Sequence, residues 1–126
     1  MFFAHSTSRI DKADWHRLAE HLRATGHLAQ PRASWFGAGT LALVAGRLHD
    51  LGKYTEKFQA RLSGEVSKVD HATWGAHIAS TRYPGLGRLL AYGIAGHHAG
   101  LANGCSGVEE QSRTSLHDRL SEDSRN

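Results

Sequence analysis

The residues of this sequence best suited to metal chemistry are histidines that stand beside a carboxylate or beside each other. The chain has 10 His against 12 Asp plus Glu, and neutral imidazole is the commonest metal ligand in proteins. A neighbouring imidazole and carboxylate can bind one ion, or let the carboxylate bridge two, when a helix end presents both to a cavity. The adjacent pairs and isolated histidines predict a metal centre with six candidate ligands: His21, His49, Asp50, His71, His97 and His98.

Apolar residues at helical intervals predict the elements that must position these side chains. Pro31 and Gly52 are expected to end two of the helices. There is no pattern of alternating strands, so the predicted class is all-α, a compact helical domain around a His/Asp metal centre. The predicted helices run from Asp11 or Asp14 to about Gln30-Pro31, from about Gly37 to Leu51, from Glu56 to Leu62, from His71 to Thr81, and from Leu86 to about His98.

The length of 126 residues predicts one domain. The apolar helical pattern fades after His98, and the following stretch is rich in Gly, Ser and charged residues. We therefore expect residues 1–104 to form the domain and residues 105–126 to form a polar tail, either a weak helix or disordered.

The composition limits the compartment, the cysteine chemistry and the partners that we expect for this protein. The mean hydropathy is −0.44, no long apolar run is present, and the first residues lack the pattern of a signal peptide. We expect a cytoplasmic protein with no membrane partner.

Cys105 is alone in the sequence, which excludes an intramolecular disulfide and a multi-cysteine zinc site. The formal net charge of +3 permits a polyanionic partner but is weak evidence for one.

Several motifs resemble a known family. The order of the candidate ligands is similar to that of the HD metal-dependent phosphohydrolase superfamily, whose helices surround a mononuclear or binuclear centre. Residues 14–104 more narrowly resemble the HD nuclease domain of the type I CRISPR-associated helicase-nuclease, since general HD phosphohydrolases share only the His-Asp pair. The motifs are Glu20-His21-Leu22, LHDLGK at 48–53, FQARL at 58–62, Asp70-His71-Ala72 with Gly75-Ala76, and GHHAGL at 96–101.

The resemblance implies a division of labour among the candidate residues. One ion would be bound by His21, His49 and Asp50. Asp50 would bridge to a second ion, whose other ligands would be His71, His97 and His98. Asp50 and Lys53 are the catalytic candidates: if the helix continues, Lys53 lies one turn beyond Asp50, faces the same cavity and can neutralise a phosphate oxygen.

The implied reaction is phosphodiester hydrolysis by a metal-dependent DNA endonuclease or exonuclease. Two cations can stabilise the attacking and leaving oxygens of an in-line displacement. Imidazole-rich sites favour one or two divalent transition ions (Fe, Mn, Co, Ni or Zn) over Mg or Ca. By resemblance the substrate is single-stranded DNA in type I CRISPR interference, and the partners are the CRISPR surveillance complex, a separate helicase subunit, or both.

Two other interpretations stay open. The family pattern continues with a further helix that carries an Asp, whereas only Asp118 and Asp123 follow His98, in a tail not expected to be that helix, and no helicase segment follows. A shortened, catalytically weak homologue could bind the surveillance complex as a competitor, in the manner of an anti-CRISPR decoy. An HD nucleotide phosphohydrolase is a third interpretation, which the local motifs disfavour.

The remaining candidates receive ordinary structural interpretations. Each large aromatic residue lies in an apolar helical context, which indicates core packing. The aromatic residues assigned to the core are Trp15, Trp35, Phe36 and Trp74. The histidines assigned to the surface or the edge of the core are His5, His16, His27, His77 and His117.

Overall fold

The computed structural model describes residues 1–102 and 114–123. Within these ranges the fold is helical, which confirms the all-α class. The elements are β1 (Phe3–His5), β2 (His16–Arg17), α1 (Leu18–Ser34), α2 (Gly39–Leu48), a 3₁₀ turn (Leu51–Tyr54), α3 (Glu56–Leu62), α4 (Ala72–Arg82), α5 (Gly87–Gly96) and α6 (Leu116–Asp123). None of these helices is long and apolar enough to cross a membrane.

Two helical pairs build the domain. Helix α1 packs along α2, α4 packs along α5, and α2 also contacts both members of the second pair. The larger core cluster lies between these helices and consists of Ala76, Ala79, Leu90, Ala91, Ile94, Ala95 and Leu116, with Leu41, Val44 and Leu48 of α2 against it. The ends of α2, α4 and α5 therefore meet at one side of the core.

Helix α1 continues through Pro31, so the predicted stop at this proline is wrong. Pro31 lies in the last turn, where only one intrahelical hydrogen bond is lost. In the same turn, the Arg32 guanidinium donates to Leu28 O at 2.7 Å, and the Ser34 hydroxyl donates to Gln30 O at 2.8 Å. The chain turns at Gly37, whose φ of +78° is readily accessible to glycine.

Helix α2 ends at Leu48, three residues before the predicted end. The chain tightens into the 3₁₀ turn because Gly52 lies against the backbone of His71, where a Cβ would collide with the His71 carbonyl oxygen. Lys53 therefore lies on a 3₁₀ turn and not on a continued α-helix, although it still lies close to Asp50.

A short antiparallel hairpin precedes α1, and the sequence pattern did not predict it. Strand β1 pairs with β2 with a register irregularity that places Phe3 opposite Arg17 and His5 opposite His16. The strands have three and two residues, too few for an alternating pattern. Gln59 of α3 fixes β1, because its side chain accepts from Phe3 N and donates to Phe3 O, both at 3.0 Å.

Three of the four aromatic residues assigned to the core are in fact exposed. Trp15 is buried as predicted, whereas Trp35 is 93% exposed, Phe36 75% and Trp74 45%. Trp35 and Phe36 follow the end of α1, so the helical period no longer applies to them. Trp74 lies on the outer face of α4, which buries small residues instead.

Helix α6 lies within the predicted polar tail and packs against α4. Leu116 is only 1% exposed and belongs to the main core cluster. The rest of that tail, including Cys105, lies outside the described residues. The domain boundary at residue 104 stays a prediction.

Candidate metal centre

The carboxylate of Asp50 lies at the centre of the candidate site and is 3% exposed. Its Oδ2 lies 2.8 Å from Lys53 Nζ, 3.1 Å from His21 Nε2 and 3.2 Å from His49 Nε2. Its Oδ1 lies 3.3 Å from Nε2 of both His71 and His97. One carboxylate thus faces four imidazoles and an ammonium.

The fold brings all six predicted ligands together at helix ends. His21 lies in the first turn of α1, the pair His49-Asp50 follows α2, His71 precedes α4, and the pair His97-His98 follows α5. The imidazole of His98 completes the ring of histidines, with centroids 4.8 Å from His71 and 4.0 Å from His97.

The donor atoms divide into two groups that share Asp50. One group contains Asp50, His71, His97 and His98, and the other contains His21, His49 and Asp50; within each, the donor atoms lie within 4.8 Å of one another. This division is the one that the resemblance implied. The role of these residues as metal ligands stays a prediction.

Backbone carbonyls orient two of the imidazoles toward the carboxylate. Nδ1 of His49 lies 2.8 Å from Gly46 O, and Nδ1 of His97 lies 2.6 Å from Ile94 O. A carbonyl can only accept, so each Nδ1 carries a proton, and each ring turns its Nε2 toward Asp50. A lone pair facing a carboxylate 3.2–3.3 Å away requires a proton or a cation between them.

Other atoms of the site are also suited to metal binding. Asp50 Oδ1 and both ring nitrogens of His71 are buried without a hydrogen-bond partner among the described residues. The His71 Nε2 to Asp50 Oδ1 separation of 3.3 Å is an ion-pair distance without hydrogen-bond geometry. Buried unsatisfied groups of this kind are costly, and these donor types bind divalent transition ions, so the residues fit the implied metal centre.

The close packing of polar and charged groups around Asp50 shifts the pKa values of several side chains in the site. Burial raises the pKa of Asp50, but the imidazoles of His49, His71 and His97 and the Lys53 ammonium outweigh it, so that the pKa lies far below its usual range. Burial lowers the pKa of His97, but Asp50 and the Ile94 carbonyl raise it above the ordinary value. Burial keeps the pKa of His21 below the ordinary value, although Asp50 opposes this. Asp50 is therefore ionised across the physiological range.

Lys53 is buried, with 4% exposure, beneath the N-terminal strand. Its ammonium contacts Asp50 Oδ2 and donates to Ala4 O at 3.2 Å. Lys53 thus faces Asp50 as predicted, and both of these contacts are to protein groups. Its catalytic role stays a prediction.

A cavity of about 600 Å³ opens beside the second ligand group. His71 and His98 lie in its wall together with three cationic side chains, those of Arg61, Lys68 and Arg119. Arg119 is engaged by protein acceptors: it contacts Asp70 at 3.3 Å and donates to Ala95 O at 2.9 Å. Arg61 and Lys68 are exposed.

Sequence analysis missed His5 and His16. With His21 they form a third group whose donor atoms lie within 4.8 Å of one another. Their proximity depends on the hairpin register, and neither residue has an acidic or histidine neighbour in the sequence that could have identified it.

The two downstream aspartates, Asp118 and Asp123, lie in α6, a short helix within the predicted tail. Ser115 caps this helix: its Oγ accepts from the Asp118 N–H at 3.2 Å, and its hydroxyl donates to the Asp118 carboxylate at 2.7 Å. Among the described residues, Asp118 belongs to none of the three candidate metal groups.

Comparison with known proteins places the chain in a family. The HD domain family matches residues 18–121, which include all six predicted ligands. The chain therefore belongs to the HD domain family, as its helical fold and His/Asp cluster also indicate. The family indicates a metal-dependent phosphohydrolase that uses divalent metal ions. No curated protein matched the chain.

Proposed function

We propose that this protein is an HD-type nuclease that hydrolyses phosphodiester bonds of single-stranded DNA in type I CRISPR interference. The observation that carries the proposal is the ionised, buried Asp50 shared by two histidine groups, one of which supplies His71 and His98 to the wall of a cavity that also contains Arg61 and Lys68. The motifs shared with the HD nuclease domain of the type I helicase-nuclease support the nuclease assignment over other HD reactions.

The protein's own residues hold and orient the reacting groups. Asp50 is fixed by Lys53 and is common to both ligand groups, so it would hold two ions in register. Divalent ions bound there would supply Lewis-acid polarisation of the phosphoryl group and an activated water nucleophile. The imidazole ligands favour Fe, Mn, Co, Ni or Zn.

The cavity wall supplies the groups for a phosphate backbone. Arg61 and Lys68 are exposed cations on the wall shared with His71 and His98. The Arg61 guanidinium lies 5.6 Å from the Phe58 ring centroid, which restrains its position. A single strand can enter such an open groove more easily than a duplex, because its phosphates and bases are individually accessible.

The proposed setting also requires partners. We propose that a separate helicase subunit supplies unwound DNA, and that the CRISPR surveillance complex directs the nuclease to its target. A pull-down with the purified surveillance complex, competed by the full helicase-nuclease, tests this. Binding without any cleavage activity would instead support the competitor interpretation.

The nuclease activity is tested with end-labelled single-stranded DNA and protein loaded in turn with Mn²⁺, Fe²⁺, Co²⁺, Ni²⁺ and Zn²⁺. The matched control is Asp50→Asn, which keeps the size of the side chain but removes its charge. We expect cleavage by the wild type and a loss of at least about 100-fold in the variant. Equal cleavage by both proteins, or release of phosphate from nucleotides with no cleavage of DNA, would contradict the proposal.

A further inference from the structure

We propose that His5, His16 and His21 form a separate binding site for a late transition-metal dication such as Zn²⁺, at the junction between the N-terminal hairpin and α1. Their donor atoms lie within 4.8 Å of one another, a grouping distinct from the two that contain Asp50. The inference concerns metal binding and goes beyond the proposed nuclease function.

The hairpin register creates the juxtaposition. His5 and His16 are opposite partners of the antiparallel pair, so their side chains leave the same side of the two-stranded sheet. Their rings are stacked, with centroids 6.0 Å apart and an interplanar angle of 24°. His21, in the first turn of α1, approaches both rings edge-on, with centroids 5.0 Å from His5 and 5.4 Å from His16.

The backbone around these histidines is well anchored. The Leu18 N–H donates to Phe2 O at 3.0 Å, Gln59 holds both polar groups of Phe3, and the Lys53 ammonium donates to Ala4 O. Ala4 is 1% exposed, so the strand is pressed onto the domain. A site on such a support loses little conformational entropy when it binds an ion.

The ligand set determines the class of ion. Three imidazoles and a position open to solvent match the donor set of zinc sites with three protein ligands. At Zn–N distances of about 2.0–2.1 Å, ligand nitrogens lie about 3.4 Å apart, so the rings need only a small inward movement. Imidazole also suits Cu²⁺ and Ni²⁺ but not Mg²⁺ or Ca²⁺, which prefer oxygen.

His21 connects the proposed site to the candidate metal centre, unlike histidines that lie together on a surface by chance. Its Nε2 lies 3.2 Å from His49 Nε2 and 3.1 Å from Asp50 Oδ2, so the same residue also belongs to the group at Asp50. The experiment must therefore separate the two groups.

The test counts zinc ions on a background from which the Asp50 groups have been disabled. Protein that carries Asp50→Asn, His71→Gln and His97→Gln is titrated with Zn²⁺ by calorimetry, alone and combined with His5→Gln/His16→Gln. The matched control adds His27→Gln/His117→Gln, two exposed histidines outside all three groups. We expect one equivalent per chain for this triple variant and its control, and none when His5 and His16 are also replaced. Equal stoichiometry in all three proteins would overturn the proposal.

A second measurement needs no substitution and applies if the triple variant fails to fold. Wild-type protein labelled with ¹⁵N is titrated with Zn²⁺, and the imidazole nitrogen resonances are followed. We expect those of His5 and His16 to shift at saturation, whereas those of His27 stay unchanged. Unmoved His5 and His16 resonances would refute the site whatever the nuclease assays show, so the two proposals fail independently.

Discussion

The buried ion pair between Asp50 and Lys53 shows how single residues define this site. A carboxylate with 3% exposure and an ammonium with 4% exposure are stable only as partners, 2.8 Å apart. The second carboxylate oxygen faces His71 and His97 and has no hydrogen-bond partner in the described part of the chain. Lys53 thus balances part of the charge of Asp50, and Oδ1 is available to a cation.

Replacing Lys53 by Met should separate catalysis from metal binding. The substitution keeps the length of the side chain but removes the charge beside Asp50. We expect kcat to fall by about 10²–10³-fold, with metal content unchanged because Lys53 is not a ligand. Steady-state cleavage and elemental analysis measure the two quantities, and Lys57→Met, at an exposed position, is the control. Loss of metal together with activity would instead make Lys53 a structural residue of the site.

His97→Ala should remove one ion from the group that contains His71 and His98. The Ile94 carbonyl orients His97, and its Nε2 faces Asp50 Oδ1. We expect the metal content to fall by one equivalent per chain, since His21, His49 and Asp50 still form the other group. Elemental analysis of purified protein measures this, with His27→Ala as the control. Unchanged stoichiometry would show that His97 is not a ligand.

Among single residues, the candidates that the sequence reveals most clearly are neighbours in the chain. The pairs His49-Asp50 and His97-His98 are visible in the sequence because neighbours at a helix end can both reach one cavity. The proximity of His5 to His16 depends on a hairpin of five paired residues in total, which leaves no periodic signal. Sequence patterns therefore predicted six candidate residues that the fold brings together, and missed two histidines that lie beside them.

Among the secondary-structure elements, close contacts between backbones determine how accurately the ligands are placed. Gly75 of α4 faces the end of α2, where a Cβ would collide with the Leu48 carbonyl oxygen. His49 directly follows Leu48, and His71 directly precedes α4. The distance between these two imidazoles is thus set by the glycine contact, because the helices carry the histidines at their ends.

Gly75→Ala should weaken metal binding through this contact. The added methyl group forces α2 and α4 apart, at a cost of about 1–3 kcal/mol in stability, and we expect metal affinity to fall at least about tenfold. The matched control is Gly93→Ala in α5, where a Cβ meets nothing within 4 Å and should stabilise the helix by about 0.5–1 kcal/mol. Urea unfolding and calorimetric metal titration measure both effects. Equal metal affinities of Gly75→Ala and Gly93→Ala would show that the contact between Gly75 and Leu48 does not set the spacing of α2 and α4.

Helical periodicity predicted the presence of the helices more accurately than the residues at which they end. Helix α3 was predicted over its observed residues, Glu56–Leu62, because its apolar face is short and bounded by polar turns. Helix α1 passes through Pro31 because the proline lies in the last turn, and the end of α2 depends on a neighbour distant in sequence. Boundaries of this kind are tertiary effects, which single-sequence patterns do not contain.

For the whole molecule, the position of the charged side chains says more about binding of a polyanion than the net charge does. The net charge of +3 is modest, but Arg61 and Lys68 share a cavity wall with His71 and His98. Arg119 binds Asp70, Thr73 and the Ala95 carbonyl, and thereby fastens α6 to the end of α5 beside the same cavity. The all-α class and the convergence of helix ends were predictable, whereas this cavity required the structure, because α6 approaches it across a long stretch of sequence.

The proposed path of DNA predicts how binding depends on salt. Each phosphate neutralised on a single strand contributes about −0.7 to the slope of log K against log salt concentration. Replacing Arg61 and Lys68 together by Ala should therefore make the slope less steep by about 1.4. Fluorescence anisotropy with labelled single-stranded DNA, at several salt concentrations, measures the slope, and Arg82→Ala/Arg88→Ala removes the same charge from exposed positions outside the cavity wall. An equal change in both variants would mean that net charge, and not this cavity, guides the strand.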